Sequence, residues 1–281
     1  MFPILKKVVW APDIKQFTIN APDIARKAQP GEFVMLRIDD NGERIPLTIV
    51  DFDPNGGTIT LVFKESGRST LELGKLEQGD CILDLVGPLG KASKITKLGR
   101  VICIGGGVHA ASIYPIARAL KNIGNEVISI IGADNKKRLI FSNEMKEISD
   151  AIYIATEDGS EGQKGLASDL LKQLLEKETE VDMVTVIGSL AMMREVSEIT
   201  RPYKIPTRVS LHTTMVDGIG LCGSCRVSIG NEIKFACVDG PEFDGHLVDW
   251  NTAQQRAKAY MAEEQLAIGK FHSGGGCHCH K

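Results

Sequence analysis

No apolar run in this 281-residue sequence reaches the roughly 20 residues that a bilayer-crossing helix needs. No membrane span is therefore expected. Basic residues are not in excess. Lys and Arg number 33 against 36 Asp and Glu, giving a net charge of −3, so there is no electrostatic footprint for nucleic acid. The opening MFPILKKVVWAPDI lacks the layout of a secretory leader. Lys6 and Lys7 break its apolar run and no small-residue cleavage site follows, so a cytoplasmic location is expected. A disulfide framework is not indicated either. There are seven cysteines, an odd number, and Cys222, Cys225, Cys237, Cys277 and Cys279 crowd into the C-terminal part. Such clustering in a reducing compartment suits metal ligation better than cross-linking. A convincing His–carboxylate pair is also missing, so no catalytic side chain is assigned. What remains is ordinary for a globular chain: 43% hydrophobic and 25% charged residues, with length for two or three domains.

Three patterns follow one another along the chain. Residues 1–97 alternate short apolar runs with turn signals: KKVVWA, KQFTIN, EFVMLRI, PLTIVDF, TITLVFK and CILDLV. Six strands at this spacing predict a small antiparallel barrel. Residues 98–205 alternate buried-type strands (RVICI, EVISII, AIYIA, DMVTVIG) with helical runs such as VHAASIYPIARALKNI and GLASDLLKQLLEK. That alternation predicts a doubly wound parallel sheet, whose ligands lie at the C-terminal ends of its strands. Residues 206–281 change again. A hairpin is expected to turn at Gly230-Asn231, and one helix to span HLVDWNTAQQRAKAYMAEEQLA. Cys81 and Cys103 sit in apolar runs and read as core. The fold class expected is thus a β-barrel plus α/β, with a small C-terminal domain.

The C-terminal part holds the most specific motif. Cys222 and Cys225 form a C-x2-C pair, and Cys237 follows after eleven residues. Asp217 stands upstream of the pair with four residues between it and Cys222, where a fourth cysteine would complete the C-x4-C-x2-C…C spacing of a 2Fe–2S cluster. Gly218, Gly220 and Gly223 suit a loop whose backbone must wrap an inorganic core. We therefore expect a 2Fe–2S cluster on Asp217, Cys222, Cys225 and Cys237, with Asp217 as an oxygen ligand. Two alternatives stand beside it: three ordinary buried thiols with a Gly-rich turn, or a cluster in which Asp217 only caps the turn and water or another group ligates the iron. The tail residues Cys277, His278, Cys279 and His280 could bind metal, but disorder or a docking role is the preferred reading of a terminus.

The strand ends of the middle segment carry a second signal. Gly105, Gly106, Gly107 and Val108 lie between a buried strand and a helix, where backbone can approach a phosphate. Glu157 and Asp158 follow the third strand, and Gly188 and Met192 follow the fourth. Together these ends predict a nucleotide crevice. Asp134, past the second strand, could accept a hydrogen bond from a ribose hydroxyl and repel a 2′-phosphate. In the barrel, Arg44, with Thr48, and the run Lys64 to Thr70 could hold a pyrophosphate or a flavin edge.

The three segments together resemble the ferredoxin–NADP reductase superfamily. The matching residues are PGEFVML, IPLTI, GPLG, IGGGV, TEDGSEGQKG, GSLAMM and DGIGLCGSC…C, and they cover almost the whole chain. Within the superfamily the resemblance is to the branch containing the electron-transfer subunits of NAD-dependent dihydroorotate dehydrogenases. It implies an FAD-binding barrel, an NAD(H)-binding domain and a cluster passing electrons to a partner. Arg44, Ile45, Pro46, Leu47 and Thr48 would then meet the flavin. Val62, Phe63, Lys64, Ser69 and Thr70 would line the rest of its site, and Gly105 to Val108 would face the nicotinamide nucleotide. Arg44 lies four residues before Thr48 rather than three, and Leu47 replaces the aromatic of the superfamily motif. Asp217 in place of cysteine resembles instead the small subunits of NADH-dependent reduced ferredoxin:NADP+ oxidoreductases, which bifurcate electrons at a flavin. That implies a heterodimer with a larger iron–sulfur flavoprotein subunit. A dihydroorotate partner and a cluster-based redox sensor stand as alternatives.

Overall fold

A computed structural model describes residues 1–177 and 180–273. The Cys277–His280 tail motif lies outside the described residues.

The first segment folds into an antiparallel barrel of β1 (Phe2–Ala11), β2 (Ile14–Asn20), β3 (Phe33–Arg37), β4 (Ile45–Asp53), β5 (Thr58–Lys64), β6 (Cys81–Ile82) and β7 (Asp84–Leu89), with short helices α1 (Pro22–Ala25) and α2 (Arg68–Gly74). Strand order is β6-β1-β2-β5-β4-β3-β7. The CILDLV run, expected as one strand, bends at Leu83 and supplies both edge strands. β6 pairs with β1, β7 pairs with β3, and the Leu83 N–H donates to the Ile38 carbonyl at 3.1 Å. Because the two edges are consecutive, the sheet nearly closes on itself and hides its edges. Period-two alternation sorts the side chains of β4. Ile45, Leu47 and Ile49 pack into the barrel with Phe17, Ile59 and Leu61. Pro46, Thr48 and Val50 therefore take the outer face, and Val50 joins the core of the next domain.

That domain is a second sheet, built from β8 (Arg100–Gly106), β9 (Glu126–Ala133), β10 (Ala151–Thr156), β11 (Gln163–Lys164), β12 (Met183–Ile187), β13 (Thr207–Ser210) and, at one edge, β16 (Glu242–Asp244). Its order is β11-β10-β9-β8-β12-β13-β16, parallel except for β16. Helices α3 (His109–Asn122) and α4 (Ser142–Ile148) cover the barrel side. Helices α5 (Ala167–Glu176) and α6 (Leu190–Thr200) cover the other. The sheet thus continues past residue 205 into the segment that carries the cysteine motif. β13 and β16 are short and partly polar (TRVS and EFD), so they give no periodicity signal. Ion pairs between Arg118 and Asp51 (2.6 Å) and between Arg138 and Asp13 (3.0 Å) tie this domain to the barrel.

The remaining elements are the hairpin β14 (Arg226–Ile229) and β15 (Glu232–Phe235), which turns at Gly230-Asn231, and the helices α7 (Trp250–Ala257) and α8 (Met261–Ser273). The last two were expected as one helix. Tyr260 breaks it by taking a left-handed φ of 68°, which an α-helix cannot contain.

Candidate redox and nucleotide sites

The cysteine loop is built on the barrel's outer face. Cys225 and Cys237 are buried, their Sγ atoms 3.2 Å apart. They share a small core with Met215, Ala236 and the β3 side chains Phe33 and Met35, and Leu89 of β7 packs against it. Burial and contact with Cys225 push the Cys237 thiol up to about 12. Cys222 and Asp217 stand nearer the surface. The carboxylate of Asp217 gathers the loop amides. Its Oδ1 accepts from Ile219 N at 2.9 Å and Gly220 N at 3.2 Å, and its Oδ2 accepts from Cys222 N at 2.5 Å. Hydrogen bonding from Ile219 above all holds this carboxyl below the usual carboxylate range. The Ser224 amide points at the Cys222 sulfur at 3.5 Å. Two arginines that the sequence did not single out brace the loop. Arg256 of α7 donates to the Ser224 carbonyl at 2.8 Å, and Arg226 donates to that of Gly223 at 3.1 Å.

The loop supplies the donor types of a 2Fe–2S cluster, three thiols and one carboxylate, half of them buried. Among the described residues no three such side chains converge as a metal-holding group, and both oxygens of Asp217 are occupied by loop amides. Gly218 is the point at which the loop leans on the barrel. Its φ is +75°, and a Cβ there would come within 2.6 Å of Met35 Cγ.

Strand register places the predicted flavin contacts beside this loop. Pro46 pairs with Met35, and Thr48 with Phe33. The outer face of β4 therefore adjoins the side chains that seat the cysteines. Leu47 packs against the barrel core instead. A crevice of about 710 Å³ next to this face joins Arg44, Ile45, Ser69 and Thr70 to Thr214, Met215, Val216 and Tyr260. Thr70 Oγ1 accepts from the Ser66 and Gly67 amides at 3.0 Å, and Ser69 Oγ donates to Glu43 at 2.7 Å. The three residues from β5 do not share one place. Val62 packs in the interdomain core, Phe63 lies inside the barrel against Phe17, and Lys64 reaches the nucleotide side.

The second crevice, of about 470 Å³, lies at the C-terminal edge of the parallel sheet. It brings together Gly106, Gly107, Val108, Glu157 and Met192 with Lys64, Asp134 and Glu195. The starts of α3, α5 and α6 converge on it. Gly105 lets α3 sit directly on β8, since a Cβ would meet Ala110 Cα at 2.7 Å. Met192 lies over Gly106 and Gly188, and a Cβ at either would approach its sulfur to 2.5 Å. Asp158 closes its own turn instead, accepting from the Ser160 amide at 2.9 Å and from its hydroxyl at 2.6 Å.

A stacked pair links this crevice to the cysteine loop. The rings of His109 and His212 are 4.3 Å apart and tilted by only 16°. His109 lines the nucleotide crevice, and His212 lines a neighbouring cavity with Cys222 and Arg256. Desolvation pushes His212 down to about 4. Desolvation, then His212 and Lys64, pushes His109 well below the usual imidazole range. His212 borders water along its cleft. Both rings are neutral near pH 7, so they stack without charge repulsion. Nothing in sequence spacing marks two histidines 103 positions apart as neighbours.

The family of iron–sulfur cluster binding domains of dihydroorotate dehydrogenase B matches residues 212–249, which span the whole cysteine loop. A Thermotoga maritima protein, the dihydroorotate dehydrogenase B (NAD(+)) electron transfer subunit homolog, is 44% identical over 95% of this chain and 94% of its own length. The chain belongs to the dihydroorotate dehydrogenase B electron-transfer subunit family. The corresponding electron transfer subunit of Desulforamulus reducens is 31% identical over 88% of this chain and 97% of its own. Among solved structures, a chain of the NADH-dependent reduced ferredoxin-NADP oxidoreductase, described in terms of flavin-based electron bifurcation, superposes with a TM-score of 0.92. It is 43% identical and covers 97% of this chain and 98% of its own. The fold shared with it is the nearly closed barrel, the α/β sheet and the C-terminal iron–sulfur segment. Among the described residues no helix is long and apolar enough to cross a membrane.

Proposed function

We propose that this family member is a cytoplasmic electron-transfer subunit that exchanges electrons between NAD(H), FAD and a 2Fe–2S cluster, and so with a larger iron–sulfur flavoprotein partner. The observation that carries the reading is one of adjacency. The outer face of β4, with Pro46 and Thr48, lies in register with Phe33 and Met35, and those two side chains seat Cys225 and Cys237. A site for a flavin and a site for a cluster thus share one wall of the barrel.

A flavin bound there would convert the two-electron chemistry of nicotinamide into the one-electron chemistry of an iron–sulfur centre. The chain's own residues bind and place. The glycine turn and the start of α3 receive the phosphates of the dinucleotide. Asp134 and Glu157, at the ends of β9 and β10, take ribose hydroxyls and repel a 2′-phosphate. Of the cations near Asp134, Lys136 pairs with Glu161 at 2.9 Å, and Arg138 pairs with Asp13 at 3.0 Å and with Asp134 itself at 3.7 Å. The carboxylates of Asp134 and Glu157 in this crevice favour NAD(H) over NADP(H). Ser69, Thr70 and Arg44 hold the FAD phosphates. Asp217, Cys222, Cys225 and Cys237 hold the cluster, and Arg226 and Arg256 fix the loop's carbonyls so that the ligands keep their spacing.

The carboxylate at position 217 favours a bifurcating complex like that of the NADH-dependent reduced ferredoxin-NADP oxidoreductase. The names of the sequence relatives favour a dihydroorotate-oxidising partner instead. Isolation of the complex from its native cell separates the two. A partner carrying its own FAD and 4Fe–4S clusters supports the first, and one that binds orotate supports the second.

A further inference from the structure

The nucleotide crevice contains a polar side chain for which the protein itself provides no partner. Ser168 is 1% exposed, and it lines the crevice. Its Oγ makes no hydrogen bond among the described residues. A buried hydroxyl left unpaired costs stability, so a folded chain keeps one where something else satisfies it. Its placement says what that is. Ser168 is the second residue of α5, a ten-residue helix. Amides in a first turn have no intrahelical acceptor, and the helix field there favours negative charge. The upstream Leu166 amide is taken by Asp169 Oδ2 at 2.9 Å, and Leu166, Ala167 and Ser168 line the crevice. The helix start lies directly on the end of β9, for a Cβ on Gly132 would come within 3.0 Å of Ala167 Cβ. The same crevice is lined by Gly106, Gly107 and the start of α3.

We propose that Ser168 is a binding residue of the nicotinamide nucleotide site, its Oγ donating to a phosphoryl oxygen of the dinucleotide's pyrophosphate. The start of α5 then serves as a second anion-binding terminus beside that of α3, so the pyrophosphate lies between two helix dipoles. A phosphoryl group fits better here than a ribose hydroxyl. The carboxylates of Asp134 and Glu157 already offer acceptors for sugar hydroxyls, whereas a serine donor at a helix start suits an anion. The inference rests on the reading of this crevice as the NAD(H) site.

The test uses the full-length chain with its cofactors and the variants Ser168→Ala and Ser168→Cys. Cysteine keeps the side-chain volume but is a weak donor. The probes are ADP-ribose, ADP and adenosine, which cannot reduce the protein, with binding read by calorimetry. Both variants are expected to bind ADP-ribose and ADP about tenfold more weakly, as for a lost hydrogen bond to a charged group, with adenosine binding unchanged. The thermal midpoint of Ser168→Ala without nucleotide is expected to equal or exceed that of the parent, because the unpaired hydroxyl is gone. Unchanged ADP-ribose affinity, or a lowered midpoint with unchanged affinity, would make Ser168 a structural residue and overturn the proposal. An equal loss for adenosine would overturn the phosphoryl assignment. A parent chain that binds neither ADP-ribose nor NADH would overturn the NAD(H) reading itself, and the proposal with it.

Discussion

Gly218 is the most informative position at which to test how the cluster loop is held. Its φ of +75° is left-handed, and Met35 Cγ, Leu89 Cδ1 and Met35 Sδ lie 2.6, 3.1 and 3.2 Å from where a Cβ would stand. Substitution to alanine therefore carries two costs. A non-glycine residue in the left-handed region costs about 1–2 kcal/mol. Overpacking against a filled core costs about 1–3 kcal/mol more. Met35 cannot simply swing aside, since the nearest atom is Cγ, close to the backbone, and Met35 is itself buried between barrel and loop. Gly230, at the hairpin turn, has a φ of +59° and nothing within 4 Å of its Cβ position, so alanine there carries the backbone cost alone. The difference between the two variants isolates the contact between loop and barrel. Urea unfolding followed through the cluster absorbance, with iron counted per chain, should show Gly218→Ala less stable than Gly230→Ala by about 1–3 kcal/mol. Gly218→Ala should also be the variant that loses iron. Equal destabilisation with full iron retention in both would refute the claim that the barrel seats the cluster.

Replacement of Asp217 by Cys should keep the cluster but move its midpoint potential in an EPR-monitored redox titration, since a soft thiolate replaces a hard carboxylate. An unmoved midpoint would remove Asp217 from the ligand set. Asp134→Ser should narrow the preference for NADH over NADPH, measured as the ratio of kcat/KM values in flavin reduction, because the charge facing a 2′-phosphate is lost. An unchanged ratio would place selectivity elsewhere. Glu242 lies at the junction of barrel and sheet, its Oε1 accepting from Ser93 Oγ at 2.6 Å, and desolvation raises its pKa above the usual carboxylate value. The folded state then holds its proton more tightly than the unfolded state. This contribution to stability is complete below about pH 4.5 and is lost as pH rises through the folded pKa. Glu242→Gln should accordingly raise the denaturation midpoint at pH 8 relative to the parent, with the gain shrinking toward pH 4. A gain that grows on acidification would contradict the sign.

The sequence carried the periodicities well, because they depend on local alternation. The barrel strands, the βα repeats and the hairpin turn at Gly230-Asn231 stand where the pattern put them. The cysteine spacing marked the loop that the family match spans. What stayed hidden depends on long-range placement. The bend at Leu83 that nearly closes the barrel leaves no trace in an unbroken apolar run. β13 and β16 are too short for periodicity, so the sheet's extent was underestimated. Phe63 and Lys64 are consecutive residues of one strand, yet alternation sends Phe63 into the barrel and Lys64 to the nucleotide crevice. The His109–His212 stack and the Arg256 brace join residues whose separation carries no spacing rule. Ser168 looked like an ordinary polar residue of a helix, and only its burial without a partner sets it apart.

The most direct test of the central claim is an anaerobic titration of the purified full-length chain with NADH, followed by visible absorbance and low-temperature EPR. Bleaching of flavin bands together with the EPR signal of a reduced 2Fe–2S cluster is the expected result. A folded chain that lacks flavin and iron, or one whose bound flavin is reduced while its cluster stays oxidised at every NADH concentration, would contradict the account.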